Sequence, residues 1–165
     1  MKETARRRYS RRESAESFLP LPAEAVFDHL DDHHHFSSHM EQSSMLMAGS
    51  RMTVSMDGAS GRQVGSRIFL AGRLLGIPLA VSEAVTERQP PWKKAWETDG
   101  EPRLLVIGPY RMGFSIRPAE GGCITEVFLD YCLPSAWFSH VLGLLFGKIY
   151  ARWCVRSVLA GVAGS

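Results

Sequence analysis

The chain has 165 residues, 45% of them hydrophobic and 22% charged, the composition of a soluble globular protein with enough length for one domain and a sizeable core. Its formal net charge of +2 is unevenly placed: Lys2, Arg6, Arg7, Arg8, Arg11 and Arg12 against Glu3 and Glu13 give residues 1–13 a charge of +4, and the remainder is left at −2. A body of that charge excludes nucleic acid as a partner of the domain itself.

Residues 1–13 are expected to be a disordered basic tail. Such a tail offers weak peripheral attraction to an anionic membrane surface or to nucleic acid, or has no specific role. Residues 14–165 then form the folded domain. No apolar stretch follows the arginines, so they do not start a secretory signal. Cys123, Cys132 and Cys154 are odd in number and lack Cys-x-x-Cys spacing, which argues against a disulfide framework or a zinc ribbon. Reduced thiols suit the cytoplasm.

Ser14 to Leu19 reads as a first strand, stopped by Pro20 and Pro22. Ala23 to Leu30 follows as a short helix with Val26, Phe27 and Leu30 on its apolar face. Asp31 and Asp32 interrupt it, and His33 to Met40 is expected to be a second short helix. Alternation then predicts strands. Arg51–Asp57 places Met52, Val54 and Met56 together, and Ser66–Leu74 aligns Ile68 with Leu70. Ile77–Arg88 groups Val81, Glu83 and Val85. Trp92–Thr98 puts Trp92, Lys94, Trp96 and Thr98 on one side. Arg103–Ile107 and Tyr110–Arg117 are one bent strand or two strands broken at Gly108-Pro109, with Tyr110, Met112, Phe114 and Ile116 aligned. Cys123–Cys132 is the last strand. Short turns between them, such as Asp99-Gly100 and Glu120-Gly121-Gly122, imply antiparallel pairing.

Ser135 to Leu159 lacks proline and predicts a helix about 37 Å long, with Pro134 before it and Ser135 as N-cap. Lys148, Arg152 and Arg156 share one face. Gly143, Gly147, Cys154 and Gly161 make a small-residue side beside Phe146 and Tyr150. Helical glycine costs about 0.5–1 kcal/mol relative to alanine, so close approach by something is implied. That is either a cavity floor with its bulk removed or tight helix-on-sheet packing. The apolar run Val141–Gly147 falls well short of the ~20 residues that span a bilayer.

Several segments resemble a known group. Phe18-Leu19-Pro20-Leu21-Pro22-Ala23-Glu24-Ala25-Val26-Phe27-Asp28-His29-Leu30 is similar to the opening of START-like, or Bet v 1-like, domains, the superfamily that contains the bacterial polyketide cyclase/dehydrase and lipid-transport group (SRPBCC). Val81 to Pro91 resembles that group's strand ending in Glu-x-x-Pro-Pro. Gly122 to Leu129 is similar to its Gly-Thr-rich element, although Cys123 stands where threonine is commoner. The resemblance covers residues 14–160. It implies an α+β helix-grip fold: a curved antiparallel sheet of six or seven strands wrapped round a long C-terminal helix, with two short helices after strand 1 and an apolar tunnel inside. Members bind lipids, sterols, polyketides or quinones, and some are cyclases. No universal catalytic motif exists, so no catalytic residue is carried over, and fold does not settle function.

Candidate ligand-binding residues are Trp96, Tyr110, Met112, Phe114, Tyr131, Gly143, Phe146, Gly147 and Tyr150, a set of aromatic and small residues that lines either a half-wet cavity or a plain core. His29, His33, His34, His35 and His39 include i, i+4 pairs, but no His-Glu-x-x-His or distant third ligand accompanies them. No metal and no cofactor is expected. Glu83, Glu126 and Asp130 share faces with apolar residues. Each either enters the cavity, where its pKa would rise, or lies outside against Arg67, Arg73, Arg111 or Arg117. His140 either reaches the cavity mouth or is structural. The functional expectation is non-covalent binding or transport of a hydrophobic small molecule. The alternatives are a cyclase or dehydratase using the same cavity, which needs polar groups converging inside it, and a partner- or membrane-surface-binding module, which a large exposed apolar patch would favour.

Overall fold

A computed structural model describes residues 9–32, 52–74 and 76–164. The expected second short helix, His33 to Met40, and the histidine cluster from His33 onward lie outside the described residues. Seven strands form one antiparallel sheet: β1 (Arg11–Leu19), β2 (Met52–Met56), β3 (Arg67–Leu74), β4 (Ile77–Gln89), β5 (Lys93–Thr98), β6 (Tyr110–Ala119) and β7 (Gly122–Tyr131). Their order in space is β1-β7-β6-β5-β4-β3-β2. Strands β2 to β7 are thus a continuous meander, and β1 returns to pair with β7. Helix α1 (Ala23–Asp31) follows β1, and helix α2 (Trp137–Ala163) ends the chain.

Alternation decides which strand face is buried. In β7, Cys123, Thr125, Val127, Leu129 and Tyr131 are buried and their neighbours are not. In β6, Tyr110, Met112, Phe114 and Ile116 are buried likewise, with Gly113 also buried between them. These inner faces join α1 residues Val26, Phe27 and Leu30 and α2 residues Ala151, Cys154, Val155, Val158, Leu159 and Val162 in one core. Burial of a large apolar side chain stabilises by about 1.5–3 kcal/mol. The outer face carries charges. Arg12 reaches Asp130 at 3.0 Å and Glu126 at 3.8 Å, Arg117 reaches Glu16 at 2.8 Å, and Arg111 reaches Glu87 at 3.5 Å.

Several boundaries differ from the expectation. Strand β1 begins at Arg11, so the last residues assigned to the basic tail belong to the sheet, where Arg11 registers with Tyr131 and Arg12 with Asp130. Residues 1–8 lie outside the described part. The segment 103–107 makes no strand: Arg103 forms only an isolated bridge to Ala80, and β6 starts after Pro109. Helix α2 begins at Trp137 with Ala136, not Ser135, at its N-cap, and no side chain caps it.

One irregularity sets the interior. Strand β4 shifts register between Val85 and Glu87, with Val85 opposite Trp96 but Glu87 opposite Ala95. The extra residue, Thr86, reverses the alternation, as a bulge does. Glu87 therefore turns outward to Lys93 and Arg111. Arg88 turns inward beside Lys94, its register partner.

Candidate functional site

Two buried polar groups sit on the inner wall of the sheet. The first is at the α1 end. Lys94 is fully buried, and its Nζ donates to the Asp31 carbonyl at 3.1 Å and to Asp31 Oδ1 at 2.7 Å. Arg88 donates to both oxygens of the same carboxylate, at 3.1 and 2.8 Å, with its guanidinium over the Phe27 ring. Burial alone would push the Asp31 carboxyl up, but the hydrogen bonds from Arg88 and Lys94 outweigh it and hold the pKa below the usual carboxylate value. Burial pushes the Lys94 amine down, and Asp31 only partly restores it. This triad ties α1 to β4 and β5.

The second lies further along the wall. Glu83 is buried on β4 between Val81 and Val85. The Tyr110 hydroxyl donates to its Oε1. Trp96, on the intervening strand β5, also hydrogen-bonds the Glu83 carboxyl. Burial raises the Glu83 pKa to about 7, against the lowering effect of Tyr110, Trp96 and the more distant Lys94 charge. The Tyr110 hydroxyl is raised well above its ordinary value by burial and by Glu83. From the helix, Tyr150 hydrogen-bonds Cys154 one turn on, and burial pushes that thiol up to about 12. A thiol so protonated is no nucleophile at neutral pH. A carboxyl poised near neutrality among two aromatic hydrogen-bond donors can accept or donate a proton, or hold a ligand hydroxyl or carbonyl.

Trp96, Tyr110, Met112, Phe114 and Tyr131 on the sheet and Gly143 and Gly147 on α2 are all buried. Tyr150 is partly buried, its ring tilted against Trp153. Phe146 is half exposed on α2, outside the buried cluster. The two glycines are not a bare floor. A Cβ on Gly143 would lie 2.9 Å from Val106 O and from Pro134 Cδ, and one on Gly147 would lie 3.0 Å from Val106 O. The connection between β5 and β6 fills the space that the missing side chains leave, so close packing is what these glycines serve. His140 is structural: its Nδ1 lies 3.0 Å from the Pro134 carbonyl at the helix start. Glu126 and Asp130 face outward, paired with Arg12 rather than with Arg67, Arg73, Arg111 or Arg117. Sequence reading missed Asp31, Arg88 and the role of Lys94. The available signal was Lys94 itself, a cation alternating with two tryptophans.

The concave face is unevenly covered. Helix α2 lies across β1 and β7 and touches α1. Towards the far edge, Val54, Met56 and Leu70 on β2 and β3 pack against the core yet stay only partly buried. An apolar inner surface therefore leads from that edge towards Glu83.

Comparison with solved structures fixes the architecture. TTHA0849 from Thermus thermophilus superposes with a TM-score of 0.65 at 17% identity, over 93% of this chain and 95% of that one. Norcoclaurine synthase from Thalictrum flavum gives 0.63 at 11% identity, over 93% and 84%. Ara h 8.0201 gives 0.59 at 12% identity, over 94% and 99%. The chain has the Bet v 1-like fold. The resemblance of the Phe18–Leu30 and Val81–Pro91 segments to that superfamily is thereby borne out at the level of fold. No protein-family model and no curated protein matches the sequence. Among the described residues no cluster of three or more His, Cys, Asp or Glu side chains is placed to hold a metal, and no helix is long and apolar enough to cross a membrane.

Proposed function

We propose that this Bet v 1-like domain binds a hydrophobic small molecule of lipid, polyketide or quinone type on the inner wall of its sheet. The observation that carries this reading is the Glu83–Tyr110–Trp96 group. A carboxyl with no cation in direct contact is buried between Val81 and Val85, at a cost that packing alone does not repay. The partly buried Val54, Met56 and Leu70 supply apolar area along the approach. Such area contributes roughly 25 cal/mol per Å² removed from water. The ligand would lay its chain or ring on these residues and on Met112 and Phe114, and point an oxygen at Glu83 and Tyr110. Tyr131 on β7 and Tyr150 on α2 would border the site, with Gly143 and Gly147 letting the Val106 backbone close against the helix beside it.

Titration with the fluorescent apolar probe anilinonaphthalene sulfonate tests this. Saturable binding that a long-chain alcohol displaces is expected, weakened several-fold in Tyr110→Phe. Binding that is unsaturable, or unchanged in that variant, would count against the site.

A second reading is favoured by the inward position of Glu83: proton transfer to a bound polyketide-type chain, as in a cyclase or dehydratase. Glu83→Gln separates the two. It would abolish turnover in an enzyme while a carrier keeps binding within a few-fold.

A further inference from the structure

Helix α2 has the composition of a buried helix in its first three turns, yet those turns stand on the surface. Trp137 is 80% exposed, Leu145 63% and Ile149 66%, and Phe138, Val141 and Leu144 are each about half exposed. At about 100° per residue these six fall within an arc of about 140°, and half-exposed Phe146 widens the apolar arc to about 200°. They form a convex apolar cylinder, and the buried side of the same turns is reduced to Gly143 and Gly147. A fluid bilayer closes round so wide a face without needing a shaped groove.

Charge points the same way. The helix contains no Asp or Glu anywhere between Trp137 and Ala163. Its cations are all exposed: Lys148 lies within the last apolar turn, and Arg152 and Arg156 continue the same outward side beyond it. Arg152 also donates to Glu13 of β1 at 2.9 Å, which anchors the cationic part to the sheet. An aromatic and aliphatic segment followed by basic residues complements an anionic lipid surface. Thirteen residues, Trp137 to Ile149, extend only about 19 Å, too short to span a hydrocarbon core of ~30 Å.

We infer that the first half of α2 is a membrane-surface docking element, inserted into one leaflet with its axis near the membrane plane and held by Lys148 and Arg156 at the headgroups. It is independent of what, if anything, occupies the interior. It also differs from attraction through the basic segment at residues 1–10, which carries no apolar residue run.

The test is sedimentation of the full chain with vesicles of phosphatidylcholine containing roughly one-third phosphatidylglycerol. Binding is expected, with a fall of at least about tenfold in partitioning for the triple variant Trp137→Ser, Leu145→Ser, Ile149→Ser. A fall of several-fold is expected for Lys148→Gln with Arg156→Gln. All five positions are exposed, and an unchanged circular dichroism spectrum confirms the fold. Quenching of tryptophan emission by brominated lipid, lost in Trp137→Phe, is expected to locate the inserted end. No vesicle binding would overturn the inference. So would binding that the triple variant leaves intact, which would assign it to the basic segment. A dimer in sedimentation velocity that the triple variant dissolves, without vesicle binding, would assign the face to a second copy of the chain.

Discussion

Glu83 makes stability depend on pH in a direction opposite to most carboxylates. Its proton is held more tightly in the folded chain, with a pKa of about 7 against an ordinary 4.5. Between those values the folded state binds more protons than the unfolded one, so stability falls as pH rises from about 4.5 to 7 and is then flat. Denaturant unfolding at pH 5 and pH 8 should show this, with a difference of a few kcal/mol from this residue. Glu83→Gln should remove most of the dependence and be the more stable protein at pH 8. Asp31 predicts the reverse loss. Asp31→Asn leaves Lys94 and Arg88 without their counter-ion, and a broken buried pair costs about 3–5 kcal/mol. Lys94→Met keeps the Arg88–Asp31 bond and should cost far less, measured by the same unfolding curves. Period-two alternation was sufficient to put Glu83 beside Val81 and Val85, but either side of the sheet fitted that pattern. Only the position of the helix makes one side the interior.

Among the elements, β4 and α2 separate what is legible from what is not. The alternation of β4 is readable as far as Val85. The inserted Thr86 carries no signature in the sequence, because a bulge is set by pairing with β5, and so Arg88 was missed. In α2 the paired glycines announced close approach without naming the neighbour. It is the backbone of Val106, from a connection that has no periodic pattern to read. Gly143→Ala should therefore destabilise although alanine is the better helix former. The added carbon meets a backbone oxygen and a proline ring at 2.9 Å. Overpacking of this kind costs about 1–3 kcal/mol against a propensity gain of about 1 kcal/mol. A lowered melting temperature for Gly143→Ala, and a smaller drop for Gly147→Ala, is the expected thermal-denaturation result. The exposure of α2 was also hidden. An apolar sequence does not say that its own chain leaves it uncovered.

For the whole molecule, the succession of strand, helix, strand meander and long helix was enough to reach the fold from sequence, because each step follows from local periodicity and turn residues. Sheet and helix then enclose a wall with two polar groups, Arg88 and Lys94 on Asp31 and Tyr110 and Trp96 on Glu83, while the outer face pairs its charges among β1, β4, β5, β6 and β7. The core on the β1, β7 and α1 side is filled by interdigitating side chains, and the β2–β3 edge is where inner apolar surface stays accessible. Native mass spectrometry of the full chain purified from cells tests the central claim most directly. The expected spectrum shows an adduct of one apolar molecule per chain, retained in the Trp137→Ser, Leu145→Ser, Ile149→Ser variant and depleted in Tyr110→Phe. A bare polypeptide mass in every preparation, together with failure of added long-chain alcohols to form any adduct, would contradict it.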